Sequence, residues 1–410
     1  MQGARRAALR QYLRLLTRPL LRTRENAPFV LLVALTACGT LGMHIVIPAL
    51  PATARAMGIS IGTVQLTITL YLIGLAAGQL LYGPLSDRFG RRPVLLWGMT
   101  LFTLASAATA LAPTPTILIG ARILQSIGGC AGLVLGRAAV RDSATPDKAA
   151  GQLALLTVTM AMLPAIAPAI GGYLTAFVHW RASYILLAAI GAATLLATIL
   201  LLPETNHGSS RRAPLSFGRG YSRLLRSPVF LGFAVAGAFT TTAFYAFMAA
   251  APFIFENRLH QTTQDVGIYY LILMLGVALG GVGANRLSRW VTLRNGLRIA
   301  NVTAILGASW FMLAEVTGHL TVFATVGSVA LFMVGAGMAS PFALAGSISA
   351  NPQAIGAASG LYGFIQMGYG MLCTIAVEIW NPGSVMPVAV VLLCSALAAQ
   401  VVLALAARRA

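Results

Sequence analysis

Two ionisable residues, His44 and Arg122, stand inside otherwise apolar stretches of this 410-residue chain. An imidazole in that setting can take up and release a proton near neutral pH. A guanidinium can hold an anion or bridge backbone carbonyls. Ionisable groups within a membrane are costly and by default mark a substrate or proton route. The plainer uses are a neutral histidine hydrogen-bonded to a neighbouring helix and an arginine that anchors helix packing. Carboxylates number only nine. Glu25, Asp87, Asp142, Asp147 and Glu204 fall on one side of the apolar stretches, and Glu256, Asp265, Glu315 and Glu378 near their opposite ends. None stands at the middle, so His44 is the candidate proton carrier. A histidine facing an arginine forms no acid–base pair, and such a site suits an anion or a neutral polar molecule better than a lipophilic cation. His179, His207, His260 and His319 fall in expected loops.

Further polar and aromatic residues could line a cavity: Tyr71, Gln79, Gln125, Phe244, Tyr245, Met248, Tyr362, Gln366 and Tyr369. Aromatics on membrane helices more often pack or face lipid than bind substrate. Gln125 and Gln366 carry more weight, because an amide facing lipid is left unsatisfied. Cys38, Cys130, Cys373 and Cys394 lie in apolar stretches with no CxxC or metal spacing. They read as free buried thiols, and no cofactor or metal is expected.

The elements that must position these groups follow from composition. Hydrophobic residues make up 58% of the chain and charged residues 9%. A soluble enzyme or a disordered chain needs far more charge, so both are excluded. Twelve apolar stretches, each near the roughly 20 residues that span a bilayer, fall near 28–50, 60–82, 93–112, 115–139, 150–176, 180–202, 228–252, 265–285, 296–317, 320–345, 354–377 and 384–406. The polar connection 203–227 divides them into an N-terminal bundle over 28–202 and a C-terminal bundle over 228–410. On this layout 24 of the 28 lysines and arginines fall on one side of the membrane. That side is expected to be cytoplasmic and to hold both termini. The net charge of +19 is therefore an orientation signal, not a nucleic-acid site. Residues 1–27 place Arg6, Arg10, Arg14, Arg18 and Arg22 four apart with leucines between, as in an amphipathic helix lying on a membrane face. Helix 1 runs outward and helix 4 inward. His44 is then roughly 22 Å from the inner end of its helix and Arg122 roughly 10 Å from the outer end of its own, which brings them to nearly one depth.

Gly83-Pro-Leu-Ser-Asp87-Arg88-Phe-Gly90-Arg91-Arg92-Pro93, expected as the loop after helix 2, combines a packed glycine, an acid and three arginines. Such a cluster can hold two bundles together in one state and release them in another. This loop resembles the signature loop of the major facilitator superfamily. Arg122-Ile-Leu-Gln125-Ser-Ile-Gly128-Gly129 in helix 4 is similar to a second family motif. Pro164-Ala-Ile-Ala-Pro168-Ala-Ile-Gly171-Gly172 in helix 5 resembles the antiporter motif of drug exporters. Ile47-Pro48-Ala49-Leu50-Pro51, Ala251-Pro252-Phe253 and Gly356-Ala-Ala-Ser359-Gly360 look most like the bicyclomycin/chloramphenicol-resistance (Bcr/CflA) branch of drug:proton antiporters. Gly283-Ala-Asn-Arg286-Leu-Ser-Arg289 is a worn second copy of the signature loop, without its acid.

The resemblance covers the chain from Pro28 onward. It implies an all-α membrane protein of two pseudo-symmetric six-helix bundles around a central cavity. It also implies a small-molecule substrate, proton antiport, a monomer and a place in the bacterial inner membrane. Members usually carry an aspartate four residues before the proline matching Pro48, where this chain has His44. That departure keeps a second reading open, a carrier for an organic anion or metal-chelating metabolite, or an uncoupled facilitator. An intramembrane enzyme would need clustered His, Asp or Glu. A receptor would need a signalling domain that the chain does not show.

Overall fold

The computed structural model describes residues 27–143, 146–205, 217–350 and 355–409; the arginine repeat before residue 27 lies outside them. Among the described residues twelve helical rods follow one another, α1 Phe29–Met57, α2 Ile61–Phe89, α3 Arg91–Ala110, α4 Pro115–Ser143, α5 Pro146–Phe177, α6 Ala182–Leu201, α7 Pro228–Arg258, α8 Thr263–Leu287, α9 Leu293–Val316, α10 Val322–Ser349, α11 Ile355–Trp380 and α12 Val385–Arg409. Eleven of them, among the described residues, are long and apolar enough to cross a membrane; α5 contributes a shorter apolar stretch over Met162–Phe177.

Two rods are broken at equivalent places. In α1 the helix stops at His44, passes through a 3-10 turn at Ile47–Ala49 and resumes at Leu50. Pro48 and Pro51 supply no amide hydrogen and collide with the preceding turn, so the rod bends just after its histidine. In α7 the helix over Pro228–Thr242 restarts at Phe244 and ends in a π turn over Ile254–Arg258.

The packing repeats with the same spacing in both halves. Helix pairs α1–α4, α2–α4, α3–α4, α3–α6, α1–α6 and α1–α5 have counterparts six rods later in α7–α10, α8–α10, α9–α10, α9–α12, α7–α12 and α7–α11. Two pseudo-symmetric six-helix bundles result. They meet along two seams, α2 against α11 and α5 against α8. Small residues allow the close approach, as apolar tails give helices no other reason to associate. At Gly39 an added Cβ would stand 2.7 Å from the backbone oxygen of Gly129, locking α1 to α4.

Three expectations need correction. Gly83–Phe89 is not loop but the last two turns of α2, and the chain turns only at Gly90, whose φ of 96° favours glycine. The 203–227 connection is not wholly loop, because Phe217–Leu225 forms a helix that buries Leu224 and packs on α7 and α11. Cys394 is exposed, unlike Cys38, Cys130 and Cys373; it lies on a helix face that apolar lipid can cover as well as protein can.

Candidate functional site

Arg122 is fully buried in the first bundle, two turns into α4. Its Nη1 donates to Gly42 O of α1 at 2.6 Å and to Gln125 Oε1 at 2.6 Å. Gln125 Nε2 passes the chain on to Ser106 Oγ of α3 at 2.7 Å. The guanidinium lies over the Tyr71 ring of α2, 4.2 Å from its centroid, and 5.9 Å from that of Tyr184 on α6. Tyr71 is held in turn by donating to Gly39 O at 2.9 Å. Gly42 makes room, since a Cβ there would collide with the Tyr71 hydroxyl and the Phe102 ring. Five helices thus converge on one cation. No carboxylate pairs with it among the described residues, and its Nε and Nη2 are buried without a hydrogen-bond partner. A buried charge so incompletely satisfied is expensive.

His44, 4% exposed, is the last residue before the break in α1. Its Nδ1 donates to Thr40 O at 2.9 Å. A carbonyl can only accept, so this bond leaves Nε2 as the ring atom that can take a further proton. No hydrogen bond joins His44 to Arg122 among the described residues; Arg122 meets α1 two residues earlier, at Gly42. Depth therefore brings them to one level, but the arginine lies within its bundle.

The remaining candidates gather in the second bundle. Gln366 Nε2 donates to Thr241 Oγ1 at 2.7 Å and to the Tyr362 hydroxyl at 2.9 Å. Tyr369 shares a hydrogen bond of 2.6 Å with Ser395, and its ring lies 4.2 Å from that of Phe239, centre to centre. Tyr245 stacks on Phe244 at 4.4 Å and covers Gly370. Met248 O accepts from the Tyr270 hydroxyl at 2.6 Å. Gln79 crosses between bundles and covers Gly363 of α11.

The bundles are joined at the side opposite the chain ends. Arg55 of α1 pairs with Glu256 of α7. Gln65 Nε2 donates to Ala249 O at 3.1 Å, and Thr69 Oγ1 to Thr374 Oγ1 at 2.9 Å. One apolar core runs through both bundles at this far side, whereas the terminus-side half of the second bundle has a core of its own. In the antiporter motif the two glycines face different ways. A Cβ on Gly171 would collide with Ile45 O, next to His44; one on Gly172 would stand 3.1 Å from Thr263 O of α8, in the other bundle. Pro164 and Pro168 lie inside α5, and Pro168 O faces Gly267 of α8.

The signature cluster joins residues of the first bundle. Arg91 Nη1 pairs with Asp87 Oδ1 at 2.9 Å and also reaches Ser86. Arg91 N donates to Glu204 Oε1 at 2.9 Å, and Arg92 Nη2 to Ile199 O at 2.9 Å. Arg88 is exposed, 5.3 Å from the Phe89 ring centroid. The cluster thereby ties the ends of α2, α3 and α6. Among the described residues no three His, Cys, Asp or Glu side chains gather as metal ligands would. Sequence reasoning misses Gln65 and Tyr184. Gln65 satisfies the same rule that selects Gln125, while nothing in the spacing of Tyr184 points to Arg122.

Two bundles related by a six-helix offset and meeting along two seams have the architecture of alternating-access transporters. The family model of the Major Facilitator Superfamily matches residues 32–374, and the chain belongs to that family. Within it, the chain is similar to the chloramphenicol resistance protein of Pseudomonas aeruginosa, with 32% identity over 78% of this chain and 75% of that one. It is also similar to a bicyclomycin resistance protein homolog of Haemophilus influenzae, with 26% identity over 85% and 88%. These relatives support its place in the Bcr/CflA-like branch. The crystal structure of a mutant form of the nucleoside transporter NupG superposes with a TM-score of 0.71 over 93% of this chain and 98% of that one. At 15% identity it speaks for the fold alone.

Proposed function

We propose that this chain exports small drug-like molecules across the bacterial inner membrane by alternating access, in exchange for protons. The observation that carries the reading is the closure at the far side, where Arg55–Glu256, Gln65–Ala249 and Thr69–Thr374 bind the bundles together through polar contacts. The distribution of 24 of 28 cations supports cytoplasmic termini, and the far side is then periplasmic. The molecule stands in the state closed to the periplasm. The bundles 28–202 and 228–410 move as two bodies in a single chain, joined through 203–227. Arg91, with Asp87, Glu204 and Arg92, keeps the first body rigid at its cytoplasmic end.

Relatives named for resistance to chloramphenicol and bicyclomycin, matched along most of the chain, support drug efflux. The organic-anion reading finds no such support. His44 is a proton-binding group beside the Arg122 site, through Nε2. Substrate binds between the two bodies, against the Tyr245–Met248–Tyr362–Gln366–Tyr369 group of the second, while the Tyr71–Arg122–Gln125 group, buried inside the first, backs the facing wall at the depth of His44.

The test uses inverted membrane vesicles holding an acidic interior. Adding chloramphenicol should discharge the proton gradient in vesicles containing the protein and leave control vesicles unchanged. An unaltered gradient together with unaltered drug susceptibility of the host would overturn the reading.

A further inference from the structure

The α2–α11 seam carries a ladder of polar groups that a closed apolar interface has no use for. Gly62, Gln65 and Thr69 repeat at i, i+3 and i+7, on one face of α2. Thr374 and Glu378, four residues apart, form the matching face of α11. The two helices run in opposite directions, and the Thr69–Thr374 hydrogen bond of 2.9 Å sets their register. One turn back on α2 and one turn on along α11, that register brings Gln65 level with Glu378. Contacts at Gly62 agree, since a Cβ there would stand 3.6 Å from Glu378 Cγ and 3.9 Å from its Oε1.

Two side chains on this ladder hold oxygens that no donor reaches among the described residues. Glu378, partly buried within a membrane-spanning helix, has no hydrogen-bond or ion partner among the described residues. Gln65, 2% exposed, spends its Nε2 on Ala249 O, and its Oε1 is buried with no donor. An unsatisfied acceptor at the level of a carboxyl group across the same seam is met by a proton, because a neutral carboxylic acid donates where a carboxylate only accepts. Other ionisable groups do not supply the need. The portions of α2, α10 and α12 that lie at this level bring none. α7 brings Glu256, which is paired with Arg55 of α1, and the neighbouring Arg258.

We infer that Glu378 is a proton-binding group of the transport cycle, taking a proton from the far side and holding it as a neutral acid in the closed seam beside Gln65. The step is a plain protonation: the carboxylate gains a proton from far-side water when the seam opens, and returns it when the cycle exposes it to the other side. It gives this chain a carboxyl proton site in the second bundle, where the first bundle has a histidine in place of the usual acid. This inference rests on the antiport reading.

The experiment measures proton release on chloramphenicol addition to purified protein, and drug counterflow in proteoliposomes without a pH gradient. Wild type should release protons; Glu378→Gln should release fewer, leaving those that His44 supplies, yet keep counterflow, and Glu378→Asp should restore the full release. Protons released by Glu378→Gln as by wild type would overturn the inference while leaving antiport intact. Drug counterflow with no proton release in wild type would overturn antiport itself. A dicyclohexylcarbodiimide label, which captures protonated carboxyls in apolar surroundings, gives a readout independent of the variant's folding. Mass spectrometry of the wild type should find it on Glu378, and an unlabelled Glu378 would count against the proposal.

Discussion

The guanidinium carbon of Arg122 lies 4.2 Å from the centroid of the Tyr71 ring, and the hydroxyl of that tyrosine donates to Gly39 of α1. The arginine is thus held by an aromatic face that α1 itself positions, and its Nη1 returns to α1 at Gly42. The cation joins α1, α2 and α4 without a carboxylate, so its Nε and Nη2 remain to be used.

Arg122→Lys keeps the charge but loses the planar fork and the stacked face. A cation–π contact contributes about 0.5–2 kcal/mol, and stranding Gln125 Oε1 costs about 1–3 kcal/mol more. The variant is expected to melt several degrees lower and to export poorly. Thermal unfolding in detergent checks the first part and drug susceptibility the second. An unchanged melting temperature would mean that the stacking contributes nothing.

Removing the far-side ion pair should change populations, not stability. Arg55 is 61% and Glu256 24% exposed at the side chain, and exposed pairs contribute only about 0.2–1 kcal/mol. Arg55→Ala should therefore raise the fraction open to the far side by at most about fivefold. Alkylation of a reporter cysteine at buried Ala249 (Ala249→Cys) by a membrane-impermeant reagent measures it. The charge-exchanged pair Arg55→Glu with Glu256→Arg should bring labelling back; labelling equal in all three backgrounds would show that the pair is no latch.

His44→Asp returns an acid to helix 1 beside an unsatisfied arginine. A cationic substrate then meets a carboxylate in place of an imidazole ring. Efflux should shift from phenicols towards lipophilic cations such as ethidium. A ratio of the two activities equal to that of wild type would argue against a substrate-facing role for His44.

The two glycines of the antiporter motif should separate packing from movement. At Gly171 a Cβ runs into the backbone oxygen of Ile45, which cannot step aside. Gly171→Ala should destabilise by about 1–3 kcal/mol, as overpacking does. At Gly172 the Cβ has 3.1 Å to Thr263 O and 3.6 Å to the Gly267 Cα across the bundle seam. Gly172→Ala should leave the melting temperature close to wild type and slow transport, because the contact belongs to a surface that must slide. Equal loss of stability in both variants would defeat the distinction.

Much of the architecture is legible without coordinates. The apolar stretches and the arginine count set the spans, because a bilayer fixes the length of a helix and leaves no place for loose charge. His44, Arg122 and Gln125 stand out for the same reason. The breaks in α1 and α7 are less plain, since a proline announces a distortion but not the direction in which it bends a rod. Gly83–Phe89 reads as loop because its polar residues resemble a connection, while the helix continues through them to Gly90.

The amino-acid sequence by itself determined the membrane class, the two-bundle family and the scarcity of acids, since these depend on composition and on spacing along one helix. Only the tertiary structure decided who meets whom. The seat of Arg122 against Tyr71 and Tyr184, the Glu204 carboxylate at the head of α3, and Gln65 level with Glu378 each join residues tens to hundreds of positions apart. Register between helices sets those meetings. It depends on which small residues let backbones close together, a property of pairs of surfaces that no single stretch of sequence carries.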